Sequence, residues 1–235
     1  MLMGTEIGNL AGKPGKHLKD SGSGLAGKKK NRVWNLSHLE PGHHLCSFFK
    51  NPGEHKDIIV PFIKQGLEKG ERVVYIASAN SPENMERLLT ENGIELESYK
   101  QKNQWIVMGI ADSYMKDGIF SPDQMSTWLK EQTESAFKEH FGVLRIAAEM
   151  DWVRENLPNA YRLIWYENRL DTLFPGFPVI VLCQYDTNYF TPDILKDVLR
   201  NHPLVIAGGE LYENFYYVPS MSETDDTPAE VELHH

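Results

Sequence analysis

The sequence predicts an α/β domain of three layers, in which a mostly parallel sheet is covered by helices on both faces. Two observations lead to this prediction. Short, almost continuous apolar runs are typical of parallel strands that are buried on both faces, and they alternate with segments of helical periodicity. The hydrophobic content of 41% in 235 residues is enough for one sizeable core.

Seven apolar runs are the predicted strands. Most of them are rich in β-branched, aromatic or other apolar residues. In chain order they are residues 43–49, 72–77, 105–110, 144–150, 179–184, 204–207 and 215–218.

Three predicted helices begin with the same signal, which is a Ser or Thr cap, then Pro, then an acidic residue. The caps are Ser81, Ser121 and Thr191, and apolar residues at helical spacing follow each of them. Two further helices are predicted at residues 57–69 and 159–173. Helices that separate nearly continuous apolar strands complete the prediction of an α/β fold.

Both ends of the chain are predicted to be disordered tails around a globular domain at residues 40–220. Residues 1–36 are basic and rich in Gly, Lys and Ser, whereas residues 221–235 are acidic. The first tail lacks the apolar segment of a signal peptide, and the longest apolar runs are too short to cross a bilayer. We therefore expect a cytoplasmic protein with no membrane partner. The net charge of −9 also argues against a nucleic-acid partner.

The two cysteines lie on separate predicted strands, and each has polar neighbours. His44 is two residues before Cys46 and shares its face of a pleated strand, while Gln-Tyr-Asp follows Cys183. Free thiols of this kind indicate a reducing compartment. Because Zn²⁺ accepts imidazole and thiolate ligands, His44, Cys46 and Cys183 are candidate metal ligands, with a carboxylate such as Glu149.

The alternative is that both cysteines act as small hydrophobic core residues beside a hydrogen-bonded core histidine. A catalytic dyad of Cys46 and His44 is not expected, because same-face neighbours along one strand lie about 6–7 Å apart. The sequence alone leaves the metal site and the core packing open.

The loop after the first strand lacks the features of a phosphate-binding loop. It contains Gly53 alone, no Gly-Lys-Ser/Thr, and the acidic Glu54, which would repel phosphate. We therefore expect no ATP hydrolysis, and no cofactor is identified. Ligands of an open parallel sheet bind beyond the carboxyl ends of its strands, where Glu149, Tyr185 and Asp186 are predicted to lie.

The order of several motifs resembles the MEDS family, the methanogen/methylotroph DcmR-type sensory domain. The motifs are His-x-Cys, Pro-Phe-Ile-x-x-Gly-Leu-x-x-Gly-Glu, Gly-x-x-x-Ile-Ala-x-Glu-Met-x-Trp, Leu-Cys-Gln-Tyr-Asp and His-Pro-Leu-Val-x-x-Gly-Gly-Glu. The resemblance spans residues 40–220. It implies a fold related to the RecA/KaiC-like proteins without their P-loop, and a sensory rather than catalytic role. The implied ligands are small one-carbon or hydrocarbon-type compounds.

The resemblance also implies a set of ligand-binding residues. The family's candidate ligand-contacting motif falls on His44 and Cys46, and aromatic residues are expected to line the pocket. The family's other marked positions match Glu149, Cys183, Tyr185 and Asp186. Phe48 and Trp152 are added as aromatic residues expected in a mostly apolar pocket.

We therefore expect a small-molecule sensor that acts in signal transduction or transcriptional regulation. No output domain is recognised in the sequence, so the signal is expected to pass to a partner protein, such as a histidine kinase or a transcription regulator. A second copy of the chain is another candidate partner. Two other functions stay open: a metal- or thiolate-dependent enzyme that acts on a one-carbon substrate, and a nucleotide-binding regulator without hydrolysis.

Overall fold

The computed structural model describes residues 33–78, 80–115, 119–155, 157–173 and 176–219. These residues form one eight-stranded sheet and six α-helices, with short 3-10 turns between some of them. The strands are β1 (Val33–Trp34), β2 (His44–Phe49), β3 (Arg72–Ala77), β4 (Trp105–Gly109), β5 (Leu144–Glu149), β6 (Val179–Asp186), β7 (Leu204–Ala207) and β8 (Glu210–Glu213). The helices are α1 (Pro52–Glu68), α2 (Pro82–Glu91), α3 (Glu97–Gln101), α4 (Pro122–Lys138), α5 (Leu157–Leu173) and α6 (Pro192–Asn201).

The sheet is parallel except at one edge. Its strand order is β1-β8-β7-β2-β6-β5-β3-β4, with β8 antiparallel to both β7 and β1. From β2 the chain passes through α1 to β3, which lies towards one edge of the sheet. From β6 it passes through α6 to β7, which lies towards the other edge. The boundary between β2 and β6 is therefore the switch in strand order, which is where open α/β sheets bind ligands.

Helices cover both faces of the sheet, as predicted. Ile59 and Phe62 of α1 and Leu89 of α2 pack in the core of one face. On the other face, Leu129 of α4, Leu170 of α5 and Val198 of α6 pack in a second core. The side chains of successive strand residues alternate between these two cores. The three-layer α/β class is thus confirmed.

The first helix begins earlier than the sequence predicted. Helix α1 starts at Pro52 rather than at residue 57, because the side chain of Asn51 accepts a hydrogen bond from the backbone N–H of Glu54 at 3.0 Å. This is the same cap-then-Pro signal as in the other helices, with Asn in place of Ser or Thr. Pro61 consequently lies inside the helix rather than near its start.

The last strand lies at Glu210–Glu213 and not at residues 215–218. Gly208 and Gly209 both have positive φ angles, 59° and 79°, which suit a tight two-residue hairpin turn. The chain reverses there, so that β8 pairs with β7 directly. Gly208 and Gly209 thus form the turn between the two strands.

Residues 33–36, which the sequence placed in the N-terminal tail, belong to the folded structure. Strand β1 pairs with β8, with Val33 opposite Tyr212, and a short 3-10 helix follows at Leu36–His38. The rest of the two predicted tails lies outside the described residues.

Candidate functional site

Four buried side chains from separate elements meet on the face of the sheet that α5 and α6 cover. His44 is the first residue of β2, Cys183 lies within β6, Glu167 is on α5, and His202 directly follows α6. None of the four is more than 1% exposed. One donor atom from each lies within 4.8 Å of those of the other three. We name these four residues the buried polar cluster.

The carboxylate of Glu167 contacts the other three members. His44 Nε2 lies 2.9 Å from Glu167 Oε2, and His202 Nε2 lies 3.4 Å from the same oxygen. Cys183 Sγ lies 3.4 Å from Glu167 Oε1 and 3.6 Å from His44 Nε2. The two imidazole rings lie against each other with their centroids 4.1 Å apart. Nitrogen, oxygen and sulfur atoms thus converge on one small volume.

Strand register and helical spacing bring these residues together. In the parallel pair of β2 and β6, Cys46 lies beside Cys183, and alternation places His44 on the same face as both. On α5, Glu167 is four residues after Leu163 and three before Leu170, both of which are buried. Residues at this spacing share one helix face, so Glu167 lies on the buried apolar face of α5.

The position of His202 is fixed by hydrogen bonds to its surroundings. Its Nδ1 lies 2.7 Å from the carbonyl oxygen of Val198, and because a carbonyl only accepts, Nδ1 carries a hydrogen. Its own carbonyl accepts a hydrogen bond from the amide of Asn214 at 2.7 Å. The amide of the preceding Asn201 donates to the carbonyl of Ile164 at 3.2 Å, which ties α6 to α5. In this tautomer the neutral ring has no hydrogen on Nε2, and Nε2 faces the cluster.

The charges of the cluster depend on one another. Burial alone would raise the pKa of the Glu167 carboxyl, but hydrogen bonds from His202 and His44 and their charges hold this pKa well below its usual range. Burial, followed by repulsion from His44, lowers the pKa of His202. A neutral His202 carries its hydrogen on Nδ1 and has none on Nε2. It therefore cannot donate the hydrogen bond that would lower the pKa of Glu167, and the two pKa shifts disagree at the contact between His202 and Glu167. The shorter contact, from His44, is therefore the one that stabilises the ionised Glu167.

Burial and then the charge of Glu167 raise the pKa of the Cys183 thiol. Without a further cation, the cluster therefore holds an ionised carboxylate and a protonated thiol. A metal ion at this position would favour the thiolate form of Cys183, because a coordinating thiol is deprotonated.

Aromatic side chains lie against one side of the cluster. The ring of Tyr185 is 6.3 Å from that of His202, 5.3 Å from Phe190 and 6.0 Å from Phe48. Its hydroxyl is buried and has no hydrogen-bond partner among the described residues. A buried hydroxyl without a partner costs free energy, so a bound molecule that satisfied it would be favoured.

A second aromatic group contains Trp152, whose ring packs 5.2 Å from Tyr114 and 5.1 Å from Phe120. The indole Nε1 of Trp152 is also buried without a hydrogen-bond partner within the described part of the chain. Burial raises the pKa of Tyr114. These aromatic residues belong to the same hydrophobic core as Cys183.

The predicted residues on this face are His44, Cys46, Phe48, Trp152, Cys183 and Tyr185. Cys46 lies outside the cluster, since its thiol points to the carbonyl oxygen of Leu204 at 3.9 Å. The carboxylate beside the cysteine is that of Glu167 rather than Glu149. Sequence reasoning missed Glu167 and His202, although an acid at the centre of the apolar stripe of α5 was a usable signal.

Glu149 and Asp186 lie elsewhere. Glu149 ends β5 on the opposite face, where its carboxylate accepts hydrogen bonds from the backbone N–H groups of Ser78 at 2.7 Å and Asn80 at 3.1 Å, and from the hydroxyl of Tyr75. It therefore anchors the loop that follows β3. Asp186 closes a turn at the end of β6, where it accepts the backbone N–H two residues later at 2.9 Å.

The loop between β2 and α1 uses its own backbone amides. The carboxylate of Glu54 accepts a hydrogen bond from the N–H of Lys50 at 2.8 Å, and the side chain of Asn51 accepts one from the N–H of Glu54 at 3.0 Å. In a P-loop, such amides bind phosphate. These contacts support the prediction that the chain does not hydrolyse ATP, which stays a prediction.

Among the described residues, no helix is both long enough and apolar enough to cross a membrane.

Comparison with known proteins gives a family match over most of the described domain. The family model of the MEDS domain, described as the methanogen/methylotroph, DcmR sensory domain, matches residues 43–203. The transcriptional repressor DcmR of Methylorubrum extorquens is 23% identical over 160 residues, which cover 68% of this chain and 57% of the repressor. The chain thus spans little more than half the length of this curated relative.

Solved structures with the same fold include two proteins of Pyrococcus horikoshii. One is a KaiC-like protein, with 12% identity, a TM-score of 0.50 and coverage of 70% of each chain. The other is an uncharacterized protein in complex with an unknown peptide, with 11% identity, a TM-score of 0.53 and coverage of 74% of this chain and 82% of that one. At this identity the two structures show the fold alone, and they confirm the predicted RecA/KaiC-like class.

Proposed function

This chain belongs to the MEDS family of sensory domains, and we propose that it detects a small one-carbon or hydrocarbon-type molecule at the buried polar cluster. A sensory and regulatory role follows from the family and from the repressor relative. The proposal adds the kind of ligand, the place where it binds, and a cytoplasmic partner that receives the signal.

The observation that carries the proposal is the combination of the cluster with its aromatic surroundings. Small-molecule sites are mostly apolar and contain a few convergent polar groups. Here the four polar side chains of the cluster share an apolar core with Tyr185, whose ring lies 6.3 Å from that of His202, and with Trp152. The Tyr185 hydroxyl and the Trp152 indole N–H lack partners among the described residues. A compact, weakly polar ligand matches this environment because it needs few hydrogen bonds.

The signal would pass through the two helices that contribute to the cluster. Glu167 is on α5 and His202 directly follows α6, whereas His44 and Cys183 are on central strands. A ligand that changes the distances among these four groups shifts α5 and α6 relative to the sheet, and a ligand moves such an equilibrium by its different affinity for the two states. We propose that a transcription regulator or a histidine kinase reads this shift.

The test compares two Tyr→Phe variants. Methanol and dichloromethane are titrated in sealed cells while thermal unfolding is recorded. We expect a saturable rise in the melting temperature of the parent, because a ligand of the folded state stabilises it. Tyr185→Phe removes the hydroxyl that would hydrogen-bond the ligand, and it is expected to weaken ligand binding roughly three- to tenfold. Tyr216→Phe is the control, because Tyr216 is 70% exposed, and it is expected to respond like the parent. A parent that responds to neither compound, or equal responses in both variants, would overturn the proposal.

A further inference from the structure

We propose that the buried polar cluster is a metal site, in which His44, Glu167, Cys183 and His202 together bind one Zn²⁺ ion. The inference concerns the same place as the proposed function, but it does not depend on the identity of any one-carbon ligand. With four protein ligands the ion has no open coordination position, so a one-carbon ligand would bind beside the ion and not to it. It stands on four observations: the donor types, the distances among them, their charges and the groups that orient them.

The four donors are the ligand types that zinc accepts. Zinc binds His nitrogen, Cys sulfur and carboxylate oxygen, and it takes four of them in tetrahedral sites. The cluster offers two imidazole nitrogens, one thiol and one carboxylate, all buried. Hard ions such as Ca²⁺ and Mg²⁺ require oxygen ligands, so the donor set selects a transition metal.

Several distances among the donors are close to the edges of a zinc tetrahedron, and the four donor atoms all lie within 4.8 Å of one another. Bond lengths of about 2.0–2.1 Å to nitrogen or oxygen and about 2.3 Å to sulfur give edges of about 3.3–3.6 Å. In the structure, Cys183 Sγ lies 3.6 Å from His44 Nε2 and 3.7 Å from Glu167 Oε2, the oxygen that both histidines also contact. His202 Nε2 is 3.4 Å from Glu167 Oε2. The 2.9 Å contact of His44 with Glu167 Oε2 is shorter, as a direct hydrogen bond would be.

Charge balance favours a divalent ion at this position. A Zn²⁺ ion with one carboxylate, one thiolate and two neutral imidazoles forms a group of zero net charge. Buried charges are stable only when they are compensated, and the cluster is fully buried. The same ion would also occupy the Nε2 lone pair of His202, which otherwise faces the oxygen of Glu167.

The groups behind the donors hold them in place for a metal. A metal-binding histidine typically donates its second ring N–H to a carbonyl or carboxylate, and His202 Nδ1 does so to Val198. The hydrogen bond from Asn201 to Ile164 fixes α6 against α5, so that the positions of His202 and Glu167 are coupled. The ordinary alternative is a buried hydrogen-bonded network that binds no metal.

The test measures metal on the full chain with no one-carbon compound present. Protein from zinc-supplemented culture is dialysed, and zinc is measured by mass spectrometry. We expect one zinc per chain. After removal of zinc by a chelator, added Co²⁺ is expected to give thiolate-to-cobalt charge-transfer absorption, which reports a Co–S bond.

Two cysteine variants supply the matched control, because both thiols are fully buried on the same face of adjacent strands. Cys183→Ala is expected to lose the charge-transfer absorption and to bind Co²⁺ at least about tenfold more weakly, the least that disturbing such a site costs. Cys46→Ala is expected to keep the charge-transfer absorption and the parent's affinity for Co²⁺. Should Cys183→Ala fail to fold, the spectrum of the parent and the weaker binding by Glu167→Gln still decide the question.

The inference is overturned if the parent binds no zinc or cobalt, or if the cobalt absorption is the same in Cys183→Ala and in the parent. These outcomes are separate from those of the ligand titration. A chain that holds zinc but does not respond to one-carbon compounds retains the metal site and loses the proposed ligand class. A chain that responds without metal retains the sensor and loses the zinc.

Discussion

Replacing the central carboxylate by its isosteric amide, Glu167→Gln, tests whether the buried polar cluster stabilises the fold. The substitution keeps the size of the side chain and removes its charge. It acts on the contacts of Glu167 with His44 at 2.9 Å and with His202 at 3.4 Å. The experiment is done with a chelator present, so that it reports on the protein groups alone.

The magnitude follows from the His44 contact, because the neutral ring of His202 has no N–H to donate to Glu167. A hydrogen bond to a charged group contributes about 1.5–3 kcal/mol, and a neutral one about 0.5–1.5 kcal/mol. The exchange therefore costs about 1 kcal/mol at His44. For a chain of this size, that loss corresponds to a melting temperature lower by roughly 2–4 °C.

The assay is urea unfolding followed by circular dichroism, with Glu134→Gln as the control. Glu134 is exposed on α4, and exposed substitutions change the free energy of unfolding by about 0.5 kcal/mol or less. A loss at Glu167 that does not exceed the control, or a gain in stability, refutes the reasoning, because the carboxylate would then be no better placed than an amide.

Two further predictions concern the fold around the site. Gly66→Ala on α1 should lower the free energy of unfolding by about 1–3 kcal/mol, because an added Cβ would lie 2.6 Å from Arg145 Cδ. The control Gly142→Ala, where nothing lies within 4 Å of the added carbon, should change it by no more than about 1 kcal/mol. Equal urea midpoints of the two variants would contradict this prediction. Glu149→Ala should cost about 3 kcal/mol, since it leaves the Tyr75 hydroxyl and two backbone N–H groups without their acceptor. Hydrogen exchange at Asn80 should quicken, and unchanged protection there would show that Glu149 does not hold the loop.

The sequence predicted most of the sheet because its strands are buried on both faces. Strands β3 and β7 have the predicted bounds, and the continuous apolar runs alone define them. The C-terminal edge was misplaced because the prediction followed the aromatic residues of 215–218, whereas the turn at Gly208 and Gly209 sets the strand. Hairpin geometry rather than hydrophobicity decides that strand.

The site was predictable only in part, because its members are distant in the sequence. His44 and Cys183 were found, since a polar residue within an apolar strand is conspicuous. The sequence paired His44 with Cys46 along one strand, whereas neighbouring strands are only about 4.8 Å apart, and the structure places His44 against Cys183. Glu167 and His202 enter through the packing of α5 and α6, which no local pattern specifies.

X-ray absorption at the zinc edge on the zinc-loaded chain tests the central claim most directly, because it counts the atoms around the metal. The account predicts one sulfur at about 2.3 Å and three nitrogen or oxygen neighbours at about 2.0–2.1 Å. A shell without sulfur would contradict it, because Cys183 would then not be a ligand. A shell with two sulfurs would also contradict it, because Cys46 would then take the place that the structure gives to a member of the buried polar cluster.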